Sequence, residues 1–301
     1  MSPLSRALAV PAELSFRATL AVLERGRSDP TFRVTRDEIV KATRTREGPA
    51  TLHVVRTDDD RVVARAFGDG ASTALASVEG LLGLDDRGHD PRAFDEPLRS
   101  FARKTRGMRL PVVENVFETL VPIVLEQLVT GVESKRAHRA LVHRFSSPAP
   151  GPFEGLLLPP APDIVKRIDP DAWLEMGILR KQGETLRRIA ERAARVEEVR
   201  GLSLDDGFAR LTAIPGIGPW TAGNVLLHAL GHADAVVVGD YHLPNTVAWN
   251  LAREERADDA RMLELLAPFA PERGRVLRII EGGGEAAPRR GPRRPVRPLR
   301  P

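Results

Sequence analysis

The chain has 301 residues, 42% hydrophobic and 29% charged, with a formal net charge of +4; this is long enough for one or two domains with a sizeable core and ordinary for a globular protein. It has no cysteine, which excludes disulfides, a thiolate nucleophile and a cysteine-held iron–sulfur cluster. No apolar run is long enough to span a bilayer and no basic-then-apolar leader stands at the start, so no membrane association and a cytoplasmic, nucleoid-associated location are expected.

In chain order, residues 1–11 read as a loose start. Residues 14–23 (LSFRATLAVL) partly alternate and suggest a strand or a strand–helix junction. The clearest β signal is residues 50–67, where the β-branched runs 51–56 and 61–67 flank Thr57-Asp58-Asp59-Asp60, a solvated hairpin turn. Residues 71–82 read as a helix ended by Gly83. From Pro91 the pattern is helical. Phe117, Leu120, Val124 and Leu128 recur at helical spacing and predict one buried face. Pro122 interrupts it, and a bend or restart is expected there. Residues 135–145 form a basic amphipathic helix, and residues 146–162, rich in Pro, a loop. A short helix over 172–177 precedes a long one over 182–199, with Leu186, Ile189, Ala193 and Val196 inward and Arg187, Arg188, Arg192 and Arg195 on a solvated face. Residues 246–255 and 257–268 predict two more helices, the first with Trp249 in the core. Residues 274–280 are the last element. Gly282-Gly283-Gly284 opens a disordered tail whose last sixteen residues carry six Arg and no acid. The basic excess therefore sits in the tail, and any anion-binding face on the body must come from local segregation of charge.

The most informative stretch is LTAIPGIGPWTAGNVLLHALGHADAVVVGDYHLPN, residues 211–245. A short helix meets Pro215, Gly216 and Gly218, which force a tight turn. A second helix over 221–230 ends at Gly231. A short extended run over 235–238 leads to Gly239, a sharp turn, and Asp240 at the start of a third helix. Glycine amides just before a helix N-terminus can approach a flat anionic surface, and that end carries free N–H groups and the positive end of the macrodipole. An ordinary αα-hairpin would use glycine in the same way.

IPGIGPWTA followed by VGDYHLPN resembles the helix-hairpin-helix DNA glycosylase superfamily, in its inducible bacterial 3-methyladenine DNA glycosylase branch. Residues 117–130 (FETLVPIVLEQLVT) and 176–190 (MGILRKQGETLRRIA) extend the likeness, which covers roughly residues 100–280. It implies an α+β chain: a small N-terminal antiparallel sheet with helices over 1–92, an all-α helix-hairpin-helix domain over 93–281, and the Arg/Pro-rich tail over 282–301. It implies excision of damaged bases from double-stranded DNA with no required cofactor, by a protein expected to be a monomer.

The resemblance also assigns roles. N-glycosidic cleavage builds positive charge on the sugar, and Asp240 is the carboxylate to stabilise it and to position water; its other reading is a plain helix cap. Trp220 stands where members with lyase activity carry Lys, which implies hydrolysis by water alone. Trp220 and Tyr241 match pocket aromatics that attract cationic alkylated purines, although a core role for Trp220 stays open. Asn224 replaces an aromatic of the relatives and puts pocket selectivity in question. Leu128, with Gln127 beside it, matches the wedge that fills the gap of a flipped base; its other reading is the core stripe above. Gly216, Ile217, Gly218 and Thr221 match the DNA-backbone contacts. The carbonyls of Thr212, Ile214 and Ile217 match those that hold a monovalent cation. Asp234 reads as a structural acid, Lys181 as the nearest lysine for a lyase, and His228 and His232 lack a third ligand for zinc. A non-catalytic DNA-binding protein with the same hairpin is the alternative; it needs neither Asp240 nor the aromatics.

Overall fold

The computed structural model describes residues 3–288 and Val296; the six tail arginines lie outside the described residues. The N-terminal part is a five-stranded antiparallel sheet in the order β1-β5-β4-β3-β2, formed by β1 (Leu4–Ala9), β2 (Phe32–Val34), β3 (Glu38–Thr45), β4 (Gly48–Asp58) and β5 (Arg61–Phe67). The expected hairpin is β4–β5, with Val54 opposite Ala64 and Leu52 opposite Ala66. One face packs Ile39, Leu52, Val54 and Val62 under α1 (Phe16–Leu20), α2 (Ala71–Ala76) and α3 (Val78–Leu81). The other face buries Val40 and Ala42 against Leu156 and Leu158 of the Pro-rich loop. The start of the chain is not loose. Leu4–Ala9 is an edge strand paired with β5. Its residues are mostly exposed, so it is held by ladder hydrogen bonds that leave no hydrophobic pattern to read.

The remainder is helical: α4 (Leu98–Lys104), α5 (Val116–Glu126), α6 (Gly131–Phe145), α7 (Pro162–Val165), α8 (Pro170–Glu175), α9 (Arg180–Glu191), α10 (Ala193–Glu197), α11 (Leu204–Thr212), α12 (Pro219–His228), α13 (Leu243–Ala252), α14 (Asp259–Leu266) and α15 (Arg273–Gly283). The chain is thus α+β, as the sequence implies. Among the described residues no helix is long and apolar enough to cross a membrane.

α5 is the central helix, with nine of its eleven residues buried. Its first amides are taken by the Glu197 carboxylate, 2.8 Å from Val116 N and 2.9 Å from Phe117 N, and by Asn115. It runs through Pro122 without a restart. A mid-helix proline costs about 3 kcal/mol, and burial of each large apolar side chain around it returns about 1.5–3 kcal/mol, so packing wins. The sequence-based stripe fails at its last position: Phe117, Leu120 and Val124 are buried, but α5 ends at Glu126 and Leu128 is 61% exposed.

Three further expectations change. The predicted helix over 182–199 is two helices, broken at Arg192 (φ −116°, ψ 18°). Trp249 is only half-buried and lies under the Arg253 guanidinium, 5.4 Å from its carbon; the inward residues of α13 are Val247, Ala248 and Asn250. Gly282 and Gly283 belong to α15 rather than to a tail. A side chain at Gly283 would collide with the Phe101 backbone and one at Gly282 with Thr105, so the glycines let α15 lie directly on α4. Asn250 then fixes Glu285 through both of its backbone groups, at 2.8 Å each.

Candidate active site

The α11–α12 connection is the predicted hairpin. Gly216 has φ +100°, and an added Cβ would strike Thr185, so this position needs glycine twice over. Gly218 differs. It is the N-cap of α12 with φ −97° and ψ −178°, and nothing lies within 4 Å of its missing Cβ. Pro219 occupies the first helical position and has no N–H to leave unpaired. Trp220 and Thr221 supply the free first-turn amides. Thr221 is 1% exposed as a whole residue and its Oγ1 accepts from Gln127 Nε2 at 2.8 Å, so its side chain is not free for an outside partner. Ile217 is a buried core residue. Of the carbonyls of Thr212, Ile214 and Ile217, that of Ile214 accepts from Ile217 N–H at 2.9 Å, which leaves it one lone pair for a cation.

The loop after α5 is tied to this hairpin. Gln127 Nε2 also donates to Gly216 O, at 3.1 Å. From behind, the buried Gln182 Nε2 donates to Leu125 O and Gln127 O at 3.0 and 2.8 Å. Between these anchors Leu128 projects outward with φ +61°, a left-handed conformation that costs a non-glycine residue about 1–2 kcal/mol.

Asp240 follows Gly239, whose φ is +89°. Its Oδ1 accepts the amides of His242 and Leu243 at 2.7 and 2.8 Å, and its Oδ2 accepts Trp220 Nε1–H at 2.8 Å. The carboxylate thus caps the start of α13 and is locked to α12, with a lone pair left on Oδ2. Asp234 is instead paired with Arg273, at 2.8 Å for Nε–Oδ1 and 2.5 Å for Nη2–Oδ2, and holds the start of α15.

A cavity of about 510 Å³ opens along the α12 face that carries Asn224; neither Asp240 nor Trp220 lines it, and Asp240 reaches it through the charge it exerts on Glu281 in the wall. Asn224, one turn below Trp220 and donating to its carbonyl at 2.8 Å, forms part of the wall, and His228 continues it one turn further. α15 contributes Arg278 and Glu281, α4 contributes Lys104, and the segment after α1 contributes Arg25. Burial pushes the Glu281 carboxyl above its ordinary range; the Arg278 cation opposes this and the Asp240 carboxylate adds to it. Burial drives the His228 imidazole well below its usual value, and the Arg278 and Arg25 cations lower it further, so it is neutral at neutral pH. Among the described residues, no cluster of three or more His, Asp or Glu is placed to hold a metal ion.

Trp220, Asp240 and Asn224 therefore come together, and Gln127 and Leu128 border the same hairpin. Tyr241 is 86% exposed, packs edge-on against His242 at 4.8 Å and does not line the cavity. Lys181 is exposed on α9, whereas Lys104 is the lysine of the cavity wall. Lys104, Arg278 and Glu281 were invisible to sequence patterns. The available signal was a charged i, i+3 pair inside the otherwise apolar run VLRIIEGG, immediately before close-packing glycines.

No family model matches the chain. It is 30% identical over 181 residues to a Mycobacterium tuberculosis protein named "Probable bifunctional transcriptional activator/DNA repair enzyme AlkA", covering 57% of this chain and 35% of that one. It is 25% identical over 181 residues to a DNA-3-methyladenine glycosylase of Bacillus subtilis, covering 58% and 59%. The chain spans only about a third to three fifths of the length of these curated relatives. Among solved structures, the 3-methyladenine DNA-glycosylase of Archaeoglobus fulgidus superposes with a TM-score of 0.76 at 18% identity, over 91% of this chain and 96% of that one, a likeness of fold. Hairpin, fold and sequence relatives point the same way: the chain is similar to members of the helix-hairpin-helix DNA glycosylase superfamily.

Proposed function

We propose that this protein is a monofunctional DNA N-glycosylase of the alkylated-base type, which flips a damaged base out of duplex DNA and releases it by hydrolysis. The observation that carries the reading is the Asp240 carboxylate, fixed by two helix-start amides and the Trp220 indole and close enough for its charge to act on Glu281 in the wall of a cavity of base-like capacity. A carboxylate held in place in advance stabilises the oxocarbenium-like sugar without reorganising, and its remaining Oδ2 lone pair is available to orient water. A DNA-binding protein without chemistry would need neither feature.

In this reading Leu128 enters the stack and Gln127 lines the gap. The amides of Gly218, Trp220 and Thr221 take a phosphate, and the carbonyls of Thr212, Ile214 and Ile217 would hold a monovalent cation, which would supply positive charge for the DNA backbone. Water, rather than an amine, attacks the sugar. The relatives named for 3-methyladenine release support the substrate class. The test is incubation with alkylated duplex DNA, identification of the free bases and borohydride trapping. Base release with an intact strand and no covalent adduct is expected. Absence of any released base would refute the reading; an adduct lost in Lys104→Ala would refute the hydrolytic subtype.

A further inference from the structure

The turn that presents Asp240 has no backbone ladder of its own. Val238, Gly239, Asp240 and Tyr241 lie between α12 and α13, outside every helix and strand. Among the described residues, no main-chain to main-chain hydrogen bond engages any of the four. Side chains hold the turn instead. On one side the Asp240 carboxylate gathers the His242 and Leu243 amides and the Trp220 indole. On the other, Gly239 N–H donates to Asp259 Oδ2 at 3.0 Å. Gly239 has φ +89°, and a Cβ there would meet only Trp220 Cβ, at 3.7 Å. Packing therefore leaves room around a residue with more backbone freedom than any other. The Asp259 bond is the restraint on the peptide that leads into Asp240.

Asp259 stands on a braced base. It is the first residue of α14, and the preceding Asp258 caps that helix by accepting from Arg261 N at 2.9 Å. Arg261 clasps Glu254 at 2.7 Å and Glu264 at 2.5 Å. Asn245 Oδ1, on α13, takes the Ala257 amide at 2.9 Å, and Met262 and Leu266 anchor α14 in the core. The helix thus has its cap and its packing without the Asp259 side chain. The second oxygen, Asp259 Oδ1, is buried and has no partner among the described residues. An orphaned carboxylate oxygen lowers stability. A local rule broken at a cost to the fold is expected where a residue serves function.

We infer that Asp259 is a positioning residue for excision: by holding the Gly239 amide it sets where the Asp240 carboxylate stands against the sugar. The inference rests on the N-glycosylase reading above and adds a residue to it. Asp240 acts on charge that develops only as the glycosidic bond opens, and a misplacement of about 1 Å can cost about a hundredfold in rate. DNA affinity rests on other groups, the α12 amides and the Leu128 wedge. Loss of the Asp259 bond therefore falls on the chemical step and spares binding.

The experiment uses the full chain in single-turnover base release from methylated duplex DNA, beside a binding titration on an abasic-site duplex. Asp259→Ala is expected to slow release at least about tenfold while affinity stays within about threefold of wild type. Asp259→Glu, which keeps the charge and moves it by one methylene, is expected to show the same split and covers an Ala variant that folds poorly. Asp259→Asn keeps an acceptor for the Gly239 amide and is expected to restore the rate to within about threefold. Asp258→Ala removes the α14 cap without touching Gly239; it is expected to lower the melting temperature and leave release near the wild-type rate. Exchange of the Trp220 indole N–H, which is bonded to the Asp240 carboxylate, is expected to quicken in Asp259→Ala and not in Asp258→Ala. Near-normal release by the Ala and Glu variants, an Asn variant as slow as they are, or an equal loss in Asp258→Ala would overturn the inference while wild-type release keeps the glycosylase reading standing. Release of no base by the wild type would remove that reading, and unchanged indole exchange in Asp259→Ala would by itself overturn the placement of Asp240 by Asp259.

Discussion

The Trp220 indole and the Asp240 carboxylate are joined by a 2.8 Å hydrogen bond that links α12 to the start of α13. It uses one of the two Asp240 oxygens, while the other takes the His242 and Leu243 amides. Asp240→Asn therefore cannot keep every bond. If its carbonyl oxygen retains the two amides, its NH₂ faces the indole N–H, donor against donor. We expect a stability loss of about 1 kcal/mol and persistent binding to an abasic-site analogue. Excision should fall at least about a hundredfold, the cost of losing a preorganised charge. The loss should be smallest for bases that leave as cations. Near-normal single-turnover excision would remove Asp240 from the chemistry.

Leu128 has φ +61° and is 61% exposed, so it contributes strain to the fold and little packing. Leu128→Gly relieves the strain but adds freedom to the unfolded chain, two effects of about 1 kcal/mol and opposite sign. Thermal stability should change little. Excision from a fully paired duplex should drop more than about tenfold, and less where the damaged base is already mispaired, because the wedge matters most when a pair must be opened. A collapse in melting temperature would return Leu128 to a core role.

The hairpin and Asp240 were legible because their signals are local: glycines and prolines at fixed offsets, then a carboxylate at a helix start. The β4–β5 hairpin was legible because β-branched residues alternate on a half-buried sheet. β1 carried no pattern because its exposed LSRALA is held by backbone alone. Gly282-Gly283 read as a breaker because glycine's second use, close helix contact, depends on a partner helix about 180 residues earlier. The same distance hid the cavity wall: Lys104 and Glu281 become neighbours only when α15 settles on α4. Leu128 was misplaced in the stripe because periodicity cannot reveal that Gln182 and Gln127 end the helix before it.

His138 on α6 is buried, with Nδ1 lacking a partner among the described residues. Burial pushes its pKa down to about 4; Asp29 opposes this, and Arg25 and Arg139 reinforce it. In the unfolded chain the imidazole titrates near 6.5. Between these values the unfolded state binds the extra proton, so stability rises with pH there. The contribution is complete above about pH 6.5 and is lost on acidification toward 4, at up to about 1.4 kcal/mol per pH unit. His228 acts in the same direction. Urea midpoints followed from pH 7 to 4.5 should fall, and His138→Gln should flatten the slope. An unchanged slope would show that His138 does not carry it.

The two hairpin glycines should respond in opposite ways. Gly216→Ala meets both a left-handed backbone and the Thr185 side chain, so the fold should lose more than about 2 kcal/mol, with binding and excision lost as a consequence. Gly218→Ala has an ordinary backbone and open space around its new methyl. Its fold should lose only about 0.5 kcal/mol, the difference between Gly and Ala at an N-cap. The methyl would instead stand where a phosphate must approach the α12 amides, and a hydrogen bond to a charged group is worth about 1.5–3 kcal/mol. Affinity for an abasic-site duplex should therefore fall about tenfold or more, while the melting temperature barely moves. Unchanged DNA affinity in a folded Gly218→Ala protein would place the phosphate elsewhere; a large stability loss in that variant would contradict the open space at its Cβ.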